Sequence, residues 1–179
     1  MLQAESLLEL NAFILHDIDP NITSYREQPA KIYFRQNGVT KTHYPDLLAT
    51  TSNGHILKEI KSNREANDPD VLLRTKILQA YLPAQGYQYE LLTESEIMSE
   101  PRLSNAKFII KHARIKIPRN KKNWLINNLL KFDTLFWEEL KNNKHFGTQI
   151  ICRLILEGVL EIDMNSIWNE NTKLKFSNQ

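Results

Sequence analysis

The chain has 179 residues, of which 41% are hydrophobic and 25% are charged. This composition is typical of a globular chain with one domain or two small ones, and it excludes a fibrous or disordered protein. The single cysteine, Cys152, excludes a disulfide framework and a cysteine-rich zinc module. Residues 1–20 carry no recognisable secretory signal and no apolar stretch is long enough to span a bilayer, so we expect a cytoplasmic protein.

The net charge of +2 conceals an uneven distribution along the chain. Residues 1–100 carry 9 basic and 14 acidic side chains, whereas residues 101–179 carry 14 basic and 7 acidic ones. Eight of the basic residues lie between positions 102 and 122, with no acid among them. Such a run suits a polyanionic partner, because each neutralised phosphate releases counterions, but a solvated basic face would have the same composition.

The apolar spacing and turn residues of positions 1–100 predict a helix, a group of strands, a second helix and a final strand. The first helix is predicted over residues 2–15, with apolar side chains at positions 7, 10, 13 and 14. The predicted strands cover residues 30–35, 43–50, 55–60 and 87–92, with a helix over 68–82 before the last of them. Asn37-Gly38 is a strong hairpin signal, so we expect the strand at 30–35 to pair with the strand at 43–50.

The remaining residues are predicted to be mostly helical. Helical apolar spacing covers residues 105–113, 122–130, 133–142 and 146–157, and short β-like segments follow at 159–163 and 173–176. Helices followed by a small hairpin have the order of a winged helix. The change in composition near Glu100-Pro101 therefore predicts two domains, residues 1–100 and residues 101–179.

Three charged residues near one turn carry the strongest chemical signal. Glu59 and Lys61 are two residues apart on a predicted strand, so their side chains leave the same face. A two-residue loop at 53–54 would place Asp46 opposite Lys61, and a four-residue loop at 51–54 would place it opposite Glu59. Any loop of even length puts Asp46 on the same face, whereas a loop of odd length or a bulge would turn it away.

Two neighbouring carboxylates repel each other unless a cation lies between them. A hard divalent ion such as Mg²⁺ or Mn²⁺ suits carboxylates and water, and a lysine beside it can orient a water molecule and neutralise charge on a phosphate. This pattern indicates metal-assisted phosphodiester hydrolysis, although charges aligned by chance on an edge hairpin would look alike. A third acid could come from the first helix, where Glu5 and Glu9 share a face.

Arginine, lysine and histidine side chains near these residues have less specific interpretations. The five histidines show no zinc-site spacing. His43 and His55 flank the proposed hairpin and could lie near the metal, although ordinary polar positions on a strand are expected. Arg64, Arg74 and Lys76 follow the Glu59 strand, where they could contact phosphates.

Four segments in order resemble the TnsA family of transposon-end endonucleases, within the PD-(D/E)xK nuclease superfamily. They are Leu7-Leu8-Glu9, Arg26-Glu27-Gln28-Pro29, Tyr44-Pro45-Asp46 and Glu59-Ile60-Lys61. The resemblance covers about residues 4–98. It implies an α/β fold with a restriction-endonuclease-like core, in which a mixed sheet is flanked by helices, followed by a small helical winged-helix-like domain.

The resemblance also implies a role for each site residue. Glu9 would help to bind metal, Asp46 would bridge the metal ions, and Glu59 would be a further ligand. The carbonyl of Ile60 is a usual ligand in such sites, and Lys61 would orient the attacking water. The choice of Glu9 over Glu5 depends on its distance from the segment at 26–29.

The function implied is a Mg²⁺-dependent DNA endonuclease, with Mn²⁺ as a substitute. It would cut double-stranded DNA at transposon ends, beside a TnsB-like transposase and a TnsC-like ATPase, in the nucleoid of a prokaryote. Two alternatives stay open. One is a restriction-like nuclease in phage defence, and the other is a non-catalytic winged-helix DNA-binding adaptor.

Overall fold

A computed structural model of the chain describes residues 6–177. It separates the chain into a first unit, Met1–Ser99, and a second unit, Glu100–Gln179. In the part of the chain that is described, every helix is too short or too polar to cross a bilayer.

The first unit begins with a helix, continues through five strands, and ends with helices on either side of a sixth strand. Its elements are α1 (Leu7–Asp17), β1 (Ile22–Glu27), β2 (Ile32–Gln36), β3 (Val39–His43), β4 (Leu47–Thr51), β5 (Gly54–Lys61), α2 (Asn63–Ala66), α3 (Pro69–Tyr81), a 3₁₀ turn (Leu82–Gln85), β6 (Tyr87–Thr93) and α4 (Glu94–Ile97).

Four of the strands form a mixed sheet in the order β1-β4-β5-β6. The β1–β4 and β4–β5 pairs are antiparallel, and the β5–β6 pair is parallel. Parallel neighbours need a crossover, which α3 supplies. The fold class predicted from the sequence, an α/β unit with a mixed sheet flanked by helices, is therefore confirmed.

Local capping residues determine where the helices of the first unit begin and end. The Ser6 side chain accepts a backbone N–H from the first turn of α1. At the start of α3 the Asp68 carboxylate accepts the backbone N–H of Asp70 at 2.8 Å, and Pro69 occupies the first helical position, where no N–H is needed. Gly86 ends the 3₁₀ turn in the left-handed region, with φ of 80°.

The core of the first unit lies between α3, the centre of the mixed sheet and the β2–β3 hairpin. Leu78 of α3 is fully buried there. The other buried members of this cluster are Ile32, Phe34, Leu48, Leu57, Leu82 and Tyr89. This packing fixes the position of α3 against β5 and β6, which carry the candidate site.

The predicted pairing of residues 30–35 with residues 43–50 is wrong. The Asn37-Gly38 turn does form a hairpin, with φ of 53° and 76°, but it joins β2 to β3 in a separate two-stranded sheet. The predicted strand at 43–50 is interrupted at Pro45, because proline fixes φ and cannot donate to a ladder. The residues after the break form β4 of the mixed sheet.

Two other expectations for the first unit differ from the structure. Strand β1 has no counterpart among the predicted strands, because its alternation of polar and apolar residues is weak. The predicted apolar stripe of the first helix is wrong in its first half, since Leu7 is 69% exposed and Leu10 is 46% exposed. The buried face of α1 instead includes Asn11, Ala12 and Leu15.

Over residues 100–177, the second unit has four helices and a small antiparallel sheet. Its elements are α5 (Arg102–His112), α6 (Arg119–Leu129), β7 (Leu135–Phe136), α7 (Trp137–Asn142), α8 (Gly147–Leu156), β8 (Leu160–Ile162) and β9 (Lys173–Phe176). The strand order is β7-β9-β8. The predicted helix at 133–142 begins only at Trp137, because Leu135 and Phe136 pair with β9. Cys152 is fully buried in α8, as a small core residue.

Replacement of Leu78 tests the packing that holds α3 on the sheet. Leu78→Ala is expected to lower the free energy of unfolding by about 2–5 kcal/mol, because truncation of a fully buried leucine leaves a cavity. Leu72→Ala is the matched control on the same helix, since Leu72 is 42% exposed, and its effect should stay within about 0.5 kcal/mol. Urea unfolding followed by circular dichroism measures both changes, and equal losses would contradict this packing.

Candidate active site

The turn between β4 and β5 determines which side chains share a face of the sheet. It has two residues, at 52–53, and Thr50 lies opposite His55. Continued by one residue beyond β4, this register places Asp46 opposite Glu59, which is one of the two predicted arrangements. The predicted four-residue loop is shorter in the structure, but its even length is retained.

Asp46 precedes β4 by one residue, and both its carboxylate and its backbone carbonyl accept hydrogen bonds from backbone N–H groups. Its Oδ2 atom accepts a hydrogen bond of 2.7 Å from the backbone N–H of Ile60. Its own carbonyl accepts the backbone N–H of Gln28 at 2.9 Å. The carboxylate of Asp46 is therefore anchored beside the end of β5.

Pro45 affects which hydrogen bonds the backbone carbonyl of Ile60 can accept. The β4–β5 register, continued by two residues, places Pro45 opposite Ile60. In a β ladder the N–H and C=O of one residue point to the same edge, and the N–H of Ile60 faces Asp46. Because proline has no N–H, it cannot donate to the Ile60 carbonyl. This carbonyl therefore faces the Asp46 side without a ladder donor from Pro45.

The Glu59 carboxylate is only 3% exposed and is surrounded by donors from several elements. Arg74 of α3 donates from Nη2 to Oε1 at 2.6 Å, and Lys61 Nζ lies 3.3 Å from the same oxygen. Tyr89 of β6 donates its hydroxyl proton to Oε2 at 2.6 Å. His43 Nε2 lies 3.5 Å from Oε2 and 2.9 Å from the Tyr89 hydroxyl.

The protonation state of His43 follows from its burial. Burial lowers the pKa of His43 to about 4, although the neighbouring Glu59 carboxylate acts in the opposite direction. His43 is therefore neutral at pH 7, and its contact with Glu59 is not a salt bridge. Since Tyr89 has one hydroxyl proton and gives it to Glu59, Nε2 of His43 must carry a proton and donate it to the Tyr89 oxygen.

The two acids opposite each other have pKa values shifted in opposite directions. Burial raises the pKa of Asp46, while the Ile60 N–H and the Lys61 ammonium act against this shift. Burial would also raise the pKa of Glu59, but hydrogen bonds from Tyr89 and Arg74 outweigh it and hold the pKa below its ordinary value. Glu59 is therefore the more firmly ionised member of the pair.

The acid predicted on the first helix lies near the same site. Glu9 is half-buried on α1, which packs against β5. Its negative charge, like that of Glu59, raises the pKa of Asp46. Glu5, the alternative to Glu9, lies outside the described residues. The structure thus brings Glu9, Glu59 and Lys61 within electrostatic reach of Asp46.

The donor set at this site fits a hard divalent ion in its chemistry. Asp46 offers the oxygen that does not bind Ile60, Ile60 offers its carbonyl, and each oxygen of Glu59 has lone pairs beyond its main hydrogen bond. Within residues 6–177, however, no group of three or more His, Cys, Asp or Glu side chains is drawn together around one point. A bound ion would therefore need water or substrate oxygens as further ligands, as Mg²⁺ commonly does.

Sequence reasoning missed three of the residues that build this site. Arg74, which the sequence places among the residues that could contact phosphates, pairs with Glu59 in the structure. For His43 the sequence favours an ordinary strand position over one near the metal, and it offers no signal for Tyr89. No local signal could have identified Arg74 or Tyr89, because they lie 15 and 30 residues from Glu59 and reach it only through the crossover.

A comparison with protein-family models finds a match within the first unit. The family model described as TnsA-like endonuclease N terminal matches residues 19–94. The match includes Asp46, Glu59 and Lys61, and it begins after Glu9. No curated protein matches the chain. Residues 19–94, which make up most of the first unit, are therefore similar to the TnsA-like endonuclease N-terminal family.

Proposed function

We propose that this chain is a metal-dependent DNA endonuclease that cuts transposon ends as a subunit of a transposition complex. The observation that supports this most strongly is the convergence of Asp46, Glu59 and Lys61 at the end of β5, inside the region that matches the TnsA-like family. The chemistry proposed is hydrolysis of a phosphodiester. Water forms a new bond to phosphorus, the bond to the 3′ oxygen breaks, and the product retains a 5′-phosphate.

Each site residue has a separate task in this proposal. A Mg²⁺ ion, for which Mn²⁺ would substitute, would be held by Asp46, Glu59 and the Ile60 carbonyl, with Glu9 helping, and would supply Lewis-acid chemistry. Lys61 orients the attacking water and stabilises the negative charge that develops on the phosphate. Its side chain is 26% exposed, so it can reach both the acids and a substrate.

The second unit is proposed to be a winged-helix domain. Its elements after α5 follow the order helix, strand, helix, helix, strand, strand, with β9 between β7 and β8, and this order supports a winged helix. Helix α8 would be the helix that lies in a DNA groove in such a domain. Its Arg153, however, donates from Nε to Glu157 at 2.6 Å, just past the end of the same helix. Arg153 would have to break this ion pair before it could bind a phosphate.

Phosphate contacts are better supplied by α5 and the segment that follows it. Lys107 and Lys111 are exposed one turn apart on α5, and Arg114 is exposed just after the helix; we call these three residues the basic row. None of the three takes part in an ion pair within residues 6–177. Arg153 and Lys122, in contrast, both bind Glu157. We therefore propose that the basic row, rather than α8, binds the phosphates of the DNA backbone.

The family match also suggests the interaction partners of the protein. A TnsA-like endonuclease domain implies a transposition complex with DNA. We propose that a TnsB-like transposase and a TnsC-like ATPase are its partners, and that the complex acts in the nucleoid. A non-catalytic DNA-binding adaptor is the second candidate, because the acids are not drawn together around one point in residues 6–177.

Replacement of Asp46 and Lys61 tests the catalytic proposal. Lys61→Met is expected to slow the nicking of supercoiled plasmid DNA in Mg²⁺ or Mn²⁺ by about 100- to 1,000-fold, because charge on the phosphate is no longer stabilised. Asp46→Asn should abolish Mn²⁺ binding measured by calorimetry. It is preferred to Asp46→Ala, which would leave the Ile60 N–H unpaired at a cost of about 1–3 kcal/mol.

His55→Gln is the matched control for these variants. His55 lies on the same strand as Glu59 and Lys61, but at its other end, and the variant should cut DNA like the wild type. Cleavage by Asp46→Asn or Lys61→Met at the wild-type rate would refute the proposed mechanism. A wild-type protein that binds DNA but neither binds Mn²⁺ nor cuts would support the adaptor.

The salt dependence of DNA binding tests the basic row. Lys107→Gln/Lys111→Gln is expected to weaken binding to a double-stranded oligonucleotide and to reduce the magnitude of its logarithmic salt slope by about 2, since each phosphate contact contributes about 0.9. Lys131→Gln/Lys144→Gln removes the same charge from exposed positions elsewhere in the second unit. Fluorescence anisotropy in EDTA measures binding without cleavage. Equal slopes for the two double variants would contradict the assignment.

A further inference from the structure

The hydrogen bonds of Glu59 point to residues that prepare the site without touching the substrate. We propose that Arg74 and Tyr89 are positioning residues, which hold the Glu59 carboxylate in one orientation and leave Lys61 available for the phosphate. This inference rests on the proposed nuclease function. It goes beyond that function because it assigns roles to two residues outside the predicted site.

The two donors bind different oxygens of the same carboxylate. Arg74 donates to Oε1 and Tyr89 donates to Oε2, each at 2.6 Å. A carboxylate held at both oxygens cannot rotate about its last torsion without breaking a charge-assisted hydrogen bond. The lone pairs that remain on Glu59 are thereby kept in a constant direction, whether or not an ion is bound.

Arg74 also determines which cation compensates the buried charge. A carboxylate that is 3% exposed needs a counter-charge, and both Arg74 and Lys61 are close to it. Arg74 is the nearer, at 2.6 Å against 3.3 Å for Lys61. Since Arg74 supplies the strong pair, the Lys61 ammonium is not needed as the sole partner of Glu59 and can act on a phosphate.

Both positioning residues are themselves held by the fold. Arg74 lies on α3, whose first turn receives a hydrogen bond of 3.0 Å from buried Gln36 to Asp70. Tyr89 lies in the core cluster, and its oxygen accepts the N–H of His43 at 2.9 Å. Helix α3, strand β6 and the β2–β3 hairpin therefore all act on Glu59.

Three substitutions test these roles in the full-length protein. Tyr89→Phe keeps the buried ring and removes one hydrogen bond, Arg74→Gln removes the charge, and Arg74→Lys retains it. Arg35→Gln is the control for loss of a cation, because Arg35 is an exposed arginine on β2 of the same unit. Calorimetric titration of the DNA-free protein with Mn²⁺ measures ion binding, and plasmid nicking gives kcat and KM separately. Circular dichroism verifies that each variant is folded at the assay temperature.

We expect Tyr89→Phe and Arg74→Gln to weaken Mn²⁺ binding and to lower kcat by about 10- to 100-fold, with little change in KM for DNA. Arg74→Lys should recover part of both losses, and Arg35→Gln should behave like the wild type. If the folded variants lose thermal stability but keep wild-type Mn²⁺ affinity and kcat, the role of these residues is structural and the proposal is overturned. A wild-type protein that neither binds Mn²⁺ nor cuts DNA overturns the nuclease function and this inference with it.

Discussion

The burial of the Glu59 carboxylate is the constraint on which the first unit depends. A carboxylate removed from water costs free energy unless its charge is compensated and its oxygens are hydrogen-bonded. Here β6 supplies Tyr89, α3 supplies Arg74, and β3 supplies His43 through the Tyr89 hydroxyl. The core between α3 and the sheet therefore positions a polar network whose hydrogen bonds converge on the Glu59 side chain.

This network gives the two acids of the site different characters. Glu59 is held in place and kept ionised by hydrogen bonds from Arg74 of α3 and Tyr89 of β6. Asp46 is anchored through one oxygen to the Ile60 backbone, and burial raises its pKa. The protein thus determines the orientation of the Glu59 carboxylate, whereas the Asp46 carboxylate has an oxygen available for a ligand. Such a difference in environment between neighbouring acids is what divides their tasks in many hydrolytic sites.

Several parts of the fold could be predicted because their causes are local. The Asp68-Pro69 start of α3, the Asn37-Gly38 hairpin turn and strand β6 follow from capping, turn chemistry and apolar alternation. The pairing of residues 43–50 could not be predicted in this way. Pro45 divides that segment between two sheets, and the choice of sheet depends on strands that are distant in sequence.

The sequence by itself determined that Glu59 and Lys61 share one face, because side chains alternate along a strand, and it placed Asp46 on that face only for a turn of even length. The structure supplied that condition, a two-residue turn at 52–53. The sequence also determined the basic character of the segment at 102–122. Only the tertiary structure decided which groups compensate Glu59. Arg74, Tyr89 and His43 reach it through a crossover and a second sheet, and contacts of that kind leave no periodic pattern in the chain.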